Sequence, residues 1–272
     1  MFKWLLLIAG IAIFYLWIKS NKRAKAINQE TGEPKPNQAE AVPEPEAMVL
    51  CQFCKVHLPK SDALKLEDRF YCSKEHLHAV DERGWVGDAL WRISPNQDSR
   101  PDKTTPDLLV LHHISLPPGH FRSQDSSQYI IDFFQNHLDS SIHPYFEEIS
   151  SQKVSSHFLI TRTGKLIQFV SLQNKAWHAG VSTFLGREKC NDFSIGIELE
   201  GDGDTPFEES QYQELASLMA KLAKIYPHLQ VAGHSDIAPD RKTDPGKFFD
   251  WEKFQKATGI SLEKLPFGLH SR

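Results

Sequence analysis

A short polar segment bounded by glycine and proline holds the residues best suited to chemistry. Residues 233–246, with the sequence GHSDIAPDRKTDPG, place His234 and Asp244 in a loop with little backbone freedom and no apolar face. Polar side chains fixed in such a loop usually form a site. Residues 109–115 are an apolar run that reaches a pair of histidines, the first of them His112. Two imidazoles and a carboxylate form the ligand set of a catalytic zinc ion with one open position.

The two adjacent histidines, His112 and His113, cannot both serve one metal ion. On an extended strand, neighbouring side chains point to opposite faces, and the spacing alone leaves open which of the two is the ligand. A lone histidine is more often an ordinary core or surface residue than a ligand. Here the candidates end strands or lie in one rigid loop, and together they complete a ligand set. We therefore expect a zinc ion, which lowers the pKa of bound water toward about 7.

Three charged residues near these segments could support hydrolysis. Glu198 and Glu200 lie two residues apart in an apolar strand, so their side chains share one face. They are either directed into a cleft, where one could act as a general base, or placed on a solvent-facing strand edge, because burying an unpaired carboxylate is costly. Lys242, two residues before Asp244, either stabilises an oxyanion or is an ordinary solvated charge.

The elements that must position these residues alternate between strands and helices. Apolar runs predict strands at residues 108–112, 193–200 and 229–232, and a hairpin at residues 155–161 and 165–172. Apolar residues at helical spacing predict helices at residues 127–138 and 208–225. This order predicts an α/β fold with a mixed central β-sheet flanked by helices. The formal net charge of −4 argues against a nucleic-acid partner.

The N-terminus predicts a membrane anchor. Trp4 to Ile18 is an almost unbroken apolar run, at the short end for a membrane span. The basic residues Lys19, Lys22, Arg23 and Lys25 follow the run, whereas only Lys3 precedes it. The positive-inside rule then places the rest of the chain on the cytoplasmic side of the inner membrane. The alternative is a cleaved signal peptide and a periplasmic protein, but signal peptides carry their charges before the apolar run.

A linker and a small metal-binding module follow the anchor. Residues 27–47 are polar and rich in proline and glutamate, which predicts a disordered linker. The next segment, residues 48–80, has little apolar material for a core and contains Cys51, Cys54, Cys72 and His76. Such a short module usually needs a metal or disulfides, and this spacing predicts a structural Cys3His zinc site, a zinc knuckle. The alternative is a loop with reduced cysteines.

Four segments resemble the zinc amidases of the AmpD type, which share their fold with peptidoglycan recognition proteins and phage T7-type lysozyme. The matching segments keep the family's order and spacing, at residues 110–119, 176–180, 186–201 and 233–246. The resemblance covers roughly residues 84–254. It implies a cytoplasmic 1,6-anhydro-N-acetylmuramyl-L-alanine amidase of peptidoglycan recycling. The bond cut would join the lactyl group of the anhydro sugar to L-alanine of the stem peptide.

The resemblance also assigns site residues. The family's zinc ligands fall on His112, His234 and Asp244, and its catalytic residues fall on Glu198 and Lys242. A non-catalytic muropeptide sensor and a periplasmic amidase acting on the intact wall are the alternative functions.

Three further positions concern the substrate. Tyr145 falls where the family has an aromatic residue near the site. Lys153 and Lys189 replace family arginines that hold the acidic peptide, and lysine keeps the charge but loses bidentate geometry.

The N-terminal part departs from these amidases. Residues 1–80 resemble a family of small membrane-anchored bacterial proteins with a similar cysteine module and no assigned role, so the partner of the knuckle is unknown. We therefore expect five parts: an anchor with its basic flank (1–26), a disordered linker (27–47), a Cys3His knuckle (48–80), an amidase domain (81–256) and a tail (257–272).

Overall fold

A computed structural model of the chain describes residues 11–20, 46–121 and 126–269. The chain divides into two units, Met1–Ala47 and Met48–Arg272. In the first unit, residues 11–20 form a helix, α1. The rest of the predicted anchor and nearly all of the predicted linker lie outside the described residues. Within the described ranges, no helix has both the length and the apolarity needed to cross a membrane.

The second unit is organised around a mixed sheet. Its strands are β5 (Leu90–Trp91), β7 (Leu108–Ile114), β8 (Phe158–Ile160), β9 (Leu166–Gln168), β13 (Ser194–Glu200) and β14 (Gln230–Gly233). They form a six-stranded sheet in the order β14-β7-β13-β8-β9-β5. Neighbouring strands are parallel except for the antiparallel β8–β9 pair. The predicted mixed sheet, its buried strands and the β8–β9 hairpin are therefore confirmed.

Four two-stranded ribbons accompany the sheet. The pairs are β1 (Met48–Leu50) with β2 (His57–Pro59), β3 (Leu64–Leu66) with β4 (Arg69–Tyr71), β6 (Gln97–Ser99) with β10 (Asn174–Ala176), and β11 (Thr183–Phe184) with β12 (Arg187–Glu188). All four are antiparallel.

Six helices lie among the described residues of the second unit. They are α2 (Lys74–Leu77), α3 (Ser126–Phe134), α4 (Pro144–Ile149), α5 (Glu209–Ile225), α6 (His234–Ile237) and α7 (Trp251–Thr258). Short 3-10 turns lie at Lys60–Asp62, Cys190–Asp192 and Leu262–Lys264. The helix predicted for residues 127–138 ends at Phe134, because Asn136 adopts a left-handed conformation with φ of 62°.

Side-chain alternation along β7 divides the interior and sets the place of the site. Leu109 and Leu111 join the apolar core shared with α5 and α7. Leu108 and Val110 face the other way and join a smaller cluster. Because side chains alternate along a strand, His112 continues the second series. It is therefore directed away from the α5–α7 core.

The C-terminal residues extend this core. Helix α7 continues to Thr258 and ends at Gly259, whose φ is 65°. Ile260 and Leu265 then return to the core, where only 8% and 3% of their surfaces are exposed. The predicted tail, residues 257–272, is thus part of the domain up to Leu269, because Ile260 and Leu265 are buried and Leu269 packs against the same core.

The segment that carries β1–β4 and α2 packs on the edge of the sheet. Arg69 donates hydrogen bonds to the carbonyls of Gly87 and Ala89, over 3.0 and 2.6 Å, and its guanidinium lies 3.9 Å from the centre of a Trp91 ring. The hydroxyl of Tyr71 donates to the same Gly87 carbonyl. A Cβ at Gly87 would lie 2.3 Å from the carbonyl oxygen of Leu77, so this close approach requires glycine. The small module is thus packed against the domain that follows it.

Candidate functional site

The parallel sheet brings the predicted residues together. In the β7–β13 register, His112 lies opposite Glu198. In the β14–β7 register, Gly233 lies opposite Leu111, so His234 follows directly at the end of β14. The carboxyl ends of parallel strands meet at one edge of a sheet, where ligand sites of α/β proteins commonly form.

Three donor atoms meet at this edge. Nδ1 of His112 lies 2.9 Å from Nδ1 of His234 and 2.8 Å from Oδ2 of Asp244. Nδ1 of His234 lies 3.0 Å from the same carboxylate oxygen. All three residues are buried, with 2%, 2% and 8% of their surfaces exposed. His113 points elsewhere, since a Cβ added to Gly203 would lie 2.7 Å from its ring.

Hydrogen bonding on the far side of His234 fits this group to a metal ion. Nε2 of His234 lies 3.1 Å from the carbonyl oxygen of Ala179, which can only accept, so Nε2 carries the hydrogen. A neutral imidazole in this tautomer presents a lone pair at Nδ1. Lone pairs on two nitrogens and one oxygen within 3.0 Å repel one another unless a cation lies among them. This donor set suits zinc.

Burial and the contacts among the three residues also shift the pKa values of His112 and Asp244 toward the forms that bind a metal ion. Burial, together with the charge of His234, lowers the pKa of His112 to about 4, so the neutral form that can bind metal predominates at neutral pH. Burial tends to raise the pKa of Asp244, but its close contacts with the His112 and His234 rings outweigh this and hold the pKa well below its usual range.

Glu198 faces the same cleft with an oxygen that has no partner. Its Oε2 is buried and has no hydrogen-bond partner among the described residues. Burial and the negative charge of Asp244 raise the pKa of Glu198 well above its ordinary value, against an opposing effect of Lys242. A buried carboxyl with a raised pKa is the usual state of a general acid or base.

Glu200 has a different environment, although it shares a face of β13 with Glu198. Its Oε1 accepts hydrogen bonds from the hydroxyls of Ser126 and Ser127, over 2.7 and 2.9 Å, and its Oε2 accepts from the N–H of Arg162. It therefore ties the start of α3 to the sheet. The alternative of a solvent-facing strand edge is wrong, because Glu198 and Glu200 are 8% and 2% exposed.

The loop that carries Lys242 and Asp244 is held at both ends. The N–H of Ser235 donates to the carbonyl of Asp244 over 2.8 Å. Arg241 donates to the carbonyls of Ala179 and Val181, each over 2.8 Å. These bonds fix the backbone around the carboxylate and explain why a segment without regular structure can position a donor atom.

The site opens into a cleft of about 440 Å³. Tyr145, Lys242 and Glu198 are among its lining residues. Lys153 and Lys189 are exposed and lie outside the lining, so their contact with a ligand stays a prediction.

Two lining residues were not assigned a role from the sequence. Trp177 borders the cleft and its indole N–H donates to Asp98 over 2.8 Å. His178 lies against His112, with its Nδ1 2.9 Å from Nε2 of that ligand. The segment AWHAG at residues 176–180 is one of those that resemble the amidase family. Its sequence does not show that His178 lies against His112.

A second group of donors lies in the predicted knuckle. The Sγ atoms of Cys54 and Cys72 are 3.8 Å apart, and Nδ1 of His76 lies 3.0 Å from Cys72 Sγ and 3.8 Å from Cys51 Sγ. All four donor atoms lie within 4.8 Å of one another. The 3.8 Å between the sulfur atoms of Cys54 and Cys72 matches one edge of a tetrahedron with zinc–sulfur bonds of about 2.3 Å, and all the cysteines are free thiols.

Backbone N–H groups favour a thiolate at Cys51, whereas burial and the contacts with Cys54 and Cys51 raise the pKa of Cys72 to about 11. Burial tends to raise the pKa of Cys51, but the N–H groups of Cys54, Cys72 and Phe53 and the side chain of His76 lower it to about 6. The thiolate is the form that binds metal. The four side chains therefore fit a closed structural zinc site without an open position.

Comparison with known proteins identifies the domain. The family profile described as N-acetylmuramoyl-L-alanine amidase matches residues 102–247. The chain belongs to this amidase family. It is therefore a hydrolase of an amide bond. The matched range contains His112, Glu198, His234, Lys242 and Asp244, whereas the knuckle lies before it.

Individual relatives agree with this membership. The chain is 49% identical over 176 residues to the 1,6-anhydro-N-acetylmuramyl-L-alanine amidase AmpD of Haemophilus influenzae, covering 64% of this chain and 94% of that protein. AmpD of Escherichia coli K12 gives the same identity and coverage. The crystal structure of a selenomethionine AmpD derivative superposes with a TM-score of 0.62 at 47% identity, covering 65% of this chain and 97% of the other.

We predict that Asp244→Ala removes one bound zinc ion per chain, because only two imidazoles would remain. Loss of a residue that only hydrogen-bonds to a metal ligand typically lowers metal affinity by about 10–100-fold. Because Asp244 would itself contact the zinc ion, its replacement should lower zinc affinity by more than this. Metal content measured by atomic emission after equilibration with buffered zinc tests this. Asp204→Ala is the matched control, since Asp204 is exposed and pairs with Lys247. Equal zinc content in wild type and Asp244→Ala would exclude this metal site.

Proposed function

We propose that this enzyme hydrolyses the amide bond between 1,6-anhydro-N-acetylmuramic acid and the L-alanine of stem peptides, a reaction of peptidoglycan recycling. The relatives that carry this activity in their names match the chain along 94% of their length at 49% identity. The observation that carries the proposal is the cleft in which an unpartnered Glu198 oxygen lies on the same sheet edge as three converging metal donors.

In this proposal, His112, His234 and Asp244 hold a catalytic zinc ion. Zinc bound there would act as a Lewis acid that makes water nucleophilic near neutral pH and polarises the amide carbonyl. Glu198 accepts the proton of the attacking water at its free oxygen and later delivers that proton to the leaving nitrogen of L-alanine. The buried Oε2 of Glu198 is available for this proton exchange, because it forms no hydrogen bond with any of the described residues.

Other cleft residues would stabilise charge and hold the substrate. Lys242 supplies a positive charge for the oxyanion that develops on the lactyl carbonyl. Tyr145, half-buried on α4, offers an aromatic surface for the substrate. We propose that Lys153 and Lys189 attract the acidic stem peptide from outside the cleft.

A direct assay separates the acid–base role from metal binding. We expect Glu198→Gln to lower kcat by about 10²–10⁴-fold, the usual contribution of acid–base catalysis, with unchanged zinc content. The measurement is release of free peptide from an anhydro-muropeptide, followed by mass spectrometry. Glu252→Gln, an exposed change on α7, is the control. Binding without turnover by the zinc-loaded wild type would instead indicate a sensor.

We also propose that Cys51, Cys54, Cys72 and His76 bind a structural zinc ion. The proximity of the four donor atoms, the 3.8 Å between the sulfur atoms of Cys54 and Cys72, and the low pKa of Cys51 support this. The module packs on the domain through Arg69 and Tyr71, so a metal there would also stabilise the edge of the sheet.

Thiol labelling tests the knuckle. We expect the two accessible thiols of the cluster, Cys54 and Cys72, to be protected in the zinc-loaded chain and to react with a thiol reagent after chelation, because the metal blocks their lone pairs. Cys190 is the internal control, since it is fully buried and outside the cluster. Equal reactivity with and without chelator would show that these cysteines are ordinary reduced thiols.

We further propose that residues 4–18 anchor the enzyme on the cytoplasmic side of the inner membrane. The apolar run and the four basic residues after it support this placement. We expect a fluorescent protein fused after Ala47 to fluoresce in the membrane fraction, and alkaline phosphatase fused there to be inactive. Deleting residues 1–26 should move the enzyme to the soluble fraction. Active phosphatase would instead place the enzyme in the periplasm.

A further inference from the structure

A chain of polar contacts runs from His112 away from the three donors. Nε2 of His112 lies 2.9 Å from Nδ1 of His178. On the other side of that ring, Nε2 of His178 lies 3.0 Å from the hydroxyl oxygen of Ser194. The two imidazoles meet nearly edge to face, with an interplanar angle of 87°. His178 thus contacts the ligand ring at the nitrogen that is not directed at the metal donors.

The strand beneath this ring is shaped to receive it. Ser194, Gly196 and Glu198 are every second residue of β13, so they lie on the same face of the strand. A Cβ at Gly196 would lie 2.6 Å from Cγ and 2.7 Å from Nδ1 of His178. Such distances do not occur without displacement, so any side chain at this position would push the ring away from His112. The absence of a side chain at Gly196 is therefore a requirement of this contact.

The backbone next to His178 serves the second histidine of the site. The Ala179 carbonyl accepts the hydrogen bond from Nε2 of His234. The N–H groups of His178 and Ala179 both donate to Oδ1 of Asn191, over 3.1 and 2.8 Å. Two adjacent residues thus contact the outer nitrogens of both histidines that supply metal donors, and Asn191 fixes their backbone.

A half-buried arginine holds the turn that supplies Asn191. Arg100 donates to the carbonyls of Asn191, Asp192 and Ser194, over 3.3, 3.0 and 2.9 Å. These contacts fix the 3-10 turn Cys190–Asp192 against the start of β13. The support of His178 is thus continuous from Arg100 through Asn191 to the ligand ring.

We propose that His178 is a positioning residue: it accepts the hydrogen of His112 Nε2 and donates its own Nε2 hydrogen to Ser194, so that His112 presents a lone pair at Nδ1 toward the metal. Together with the Ala179 carbonyl, it sets the tautomers of both ligand histidines. This inference rests on the proposed zinc amidase but concerns metal binding and not turnover. Partners of this kind orient ligand imidazoles and raise their basicity.

Variants of His178 test the proposal through zinc affinity, measured by chelator competition on the full chain. We expect His178→Leu to weaken binding at the His112 site by about 10–100-fold, because the acceptor for His112 is lost. His178→Asn should restore most of this loss, since its amide oxygen can accept the same hydrogen. An Asn variant no better than Leu would contradict the proposal, because the ring's volume and not its acceptor would then matter.

Gln168→Leu is the matched control for loss of a buried hydrogen-bonding side chain. Gln168 is fully buried on β9, and its amide bonds to the backbone of Val86, Gly84 and Val170, away from His178. We expect this variant to lose thermal stability while its zinc affinity stays within about threefold of wild type. An equal loss of affinity in Gln168→Leu and His178→Leu would show a general structural effect and overturn the proposal.

A measurement on the unchanged protein keeps the proposal testable if the variants fail to fold. Nitrogen-15 NMR of the histidine rings in the zinc-loaded wild-type chain reports which nitrogen carries hydrogen. The proposal requires hydrogen on Nε2 of His178, and hydrogen on Nδ1 would overturn it. Normal zinc binding and this tautomer without any amidase turnover would contradict the proposed function while leaving the positioning role intact.

Discussion

The site depends on three electron-rich atoms that the fold holds close together. Two imidazole nitrogens and a carboxylate oxygen lie within 3.0 Å of one another in a buried position. Such a group is unfavourable without a proton or a cation among its members. The protein holds it together from three separate elements, the end of β7, the start of α6 and the loop before Pro245. The positions of His178 and Arg241 are understandable as consequences of maintaining this group.

The parallel sheet supplies the precision. Because β7, β13 and β14 run in the same direction and in fixed register, their carboxyl ends deliver His112, Glu198 and His234 to one edge. Because successive side chains of β13 point to opposite faces of the sheet, the two faces of this strand have different functions. Odd-numbered residues of β13, such as Ile197, fill the core, and even-numbered residues serve the site and its supports. The same arrangement leaves Gly196 as the space into which His178 fits.

Local patterns were sufficient to predict five of the six strands of the central sheet, the α5 helix and the grouping of His112, His234 and Asp244, but not β5 or the ribbons. The residues 108–112 and 193–200 read as buried strands because their apolar runs are continuous, and the alternation rule correctly required that only one of His112 and His113 face the metal donors. The geometry favours His112, which the resemblance had also indicated. These predictions succeeded because each depends on neighbours in the sequence or on a motif with fixed spacing.

The supporting contacts could not be predicted in this way. His178 meets His112 across 66 positions, and Arg241 reaches Ala179 across 62. Nothing local marks Ile260 and Leu265 as core, or Arg69 as the residue that packs the knuckle on the sheet edge. Such contacts are set by topology.

Anomalous diffraction at the zinc edge from crystals of the zinc-loaded chain tests the central claim most directly. The account predicts a zinc peak within about 2.0–2.2 Å of Nδ1 of His112, Nδ1 of His234 and a carboxylate oxygen of Asp244. No peak among these residues, or a zinc ion bound through His113 instead, would contradict it.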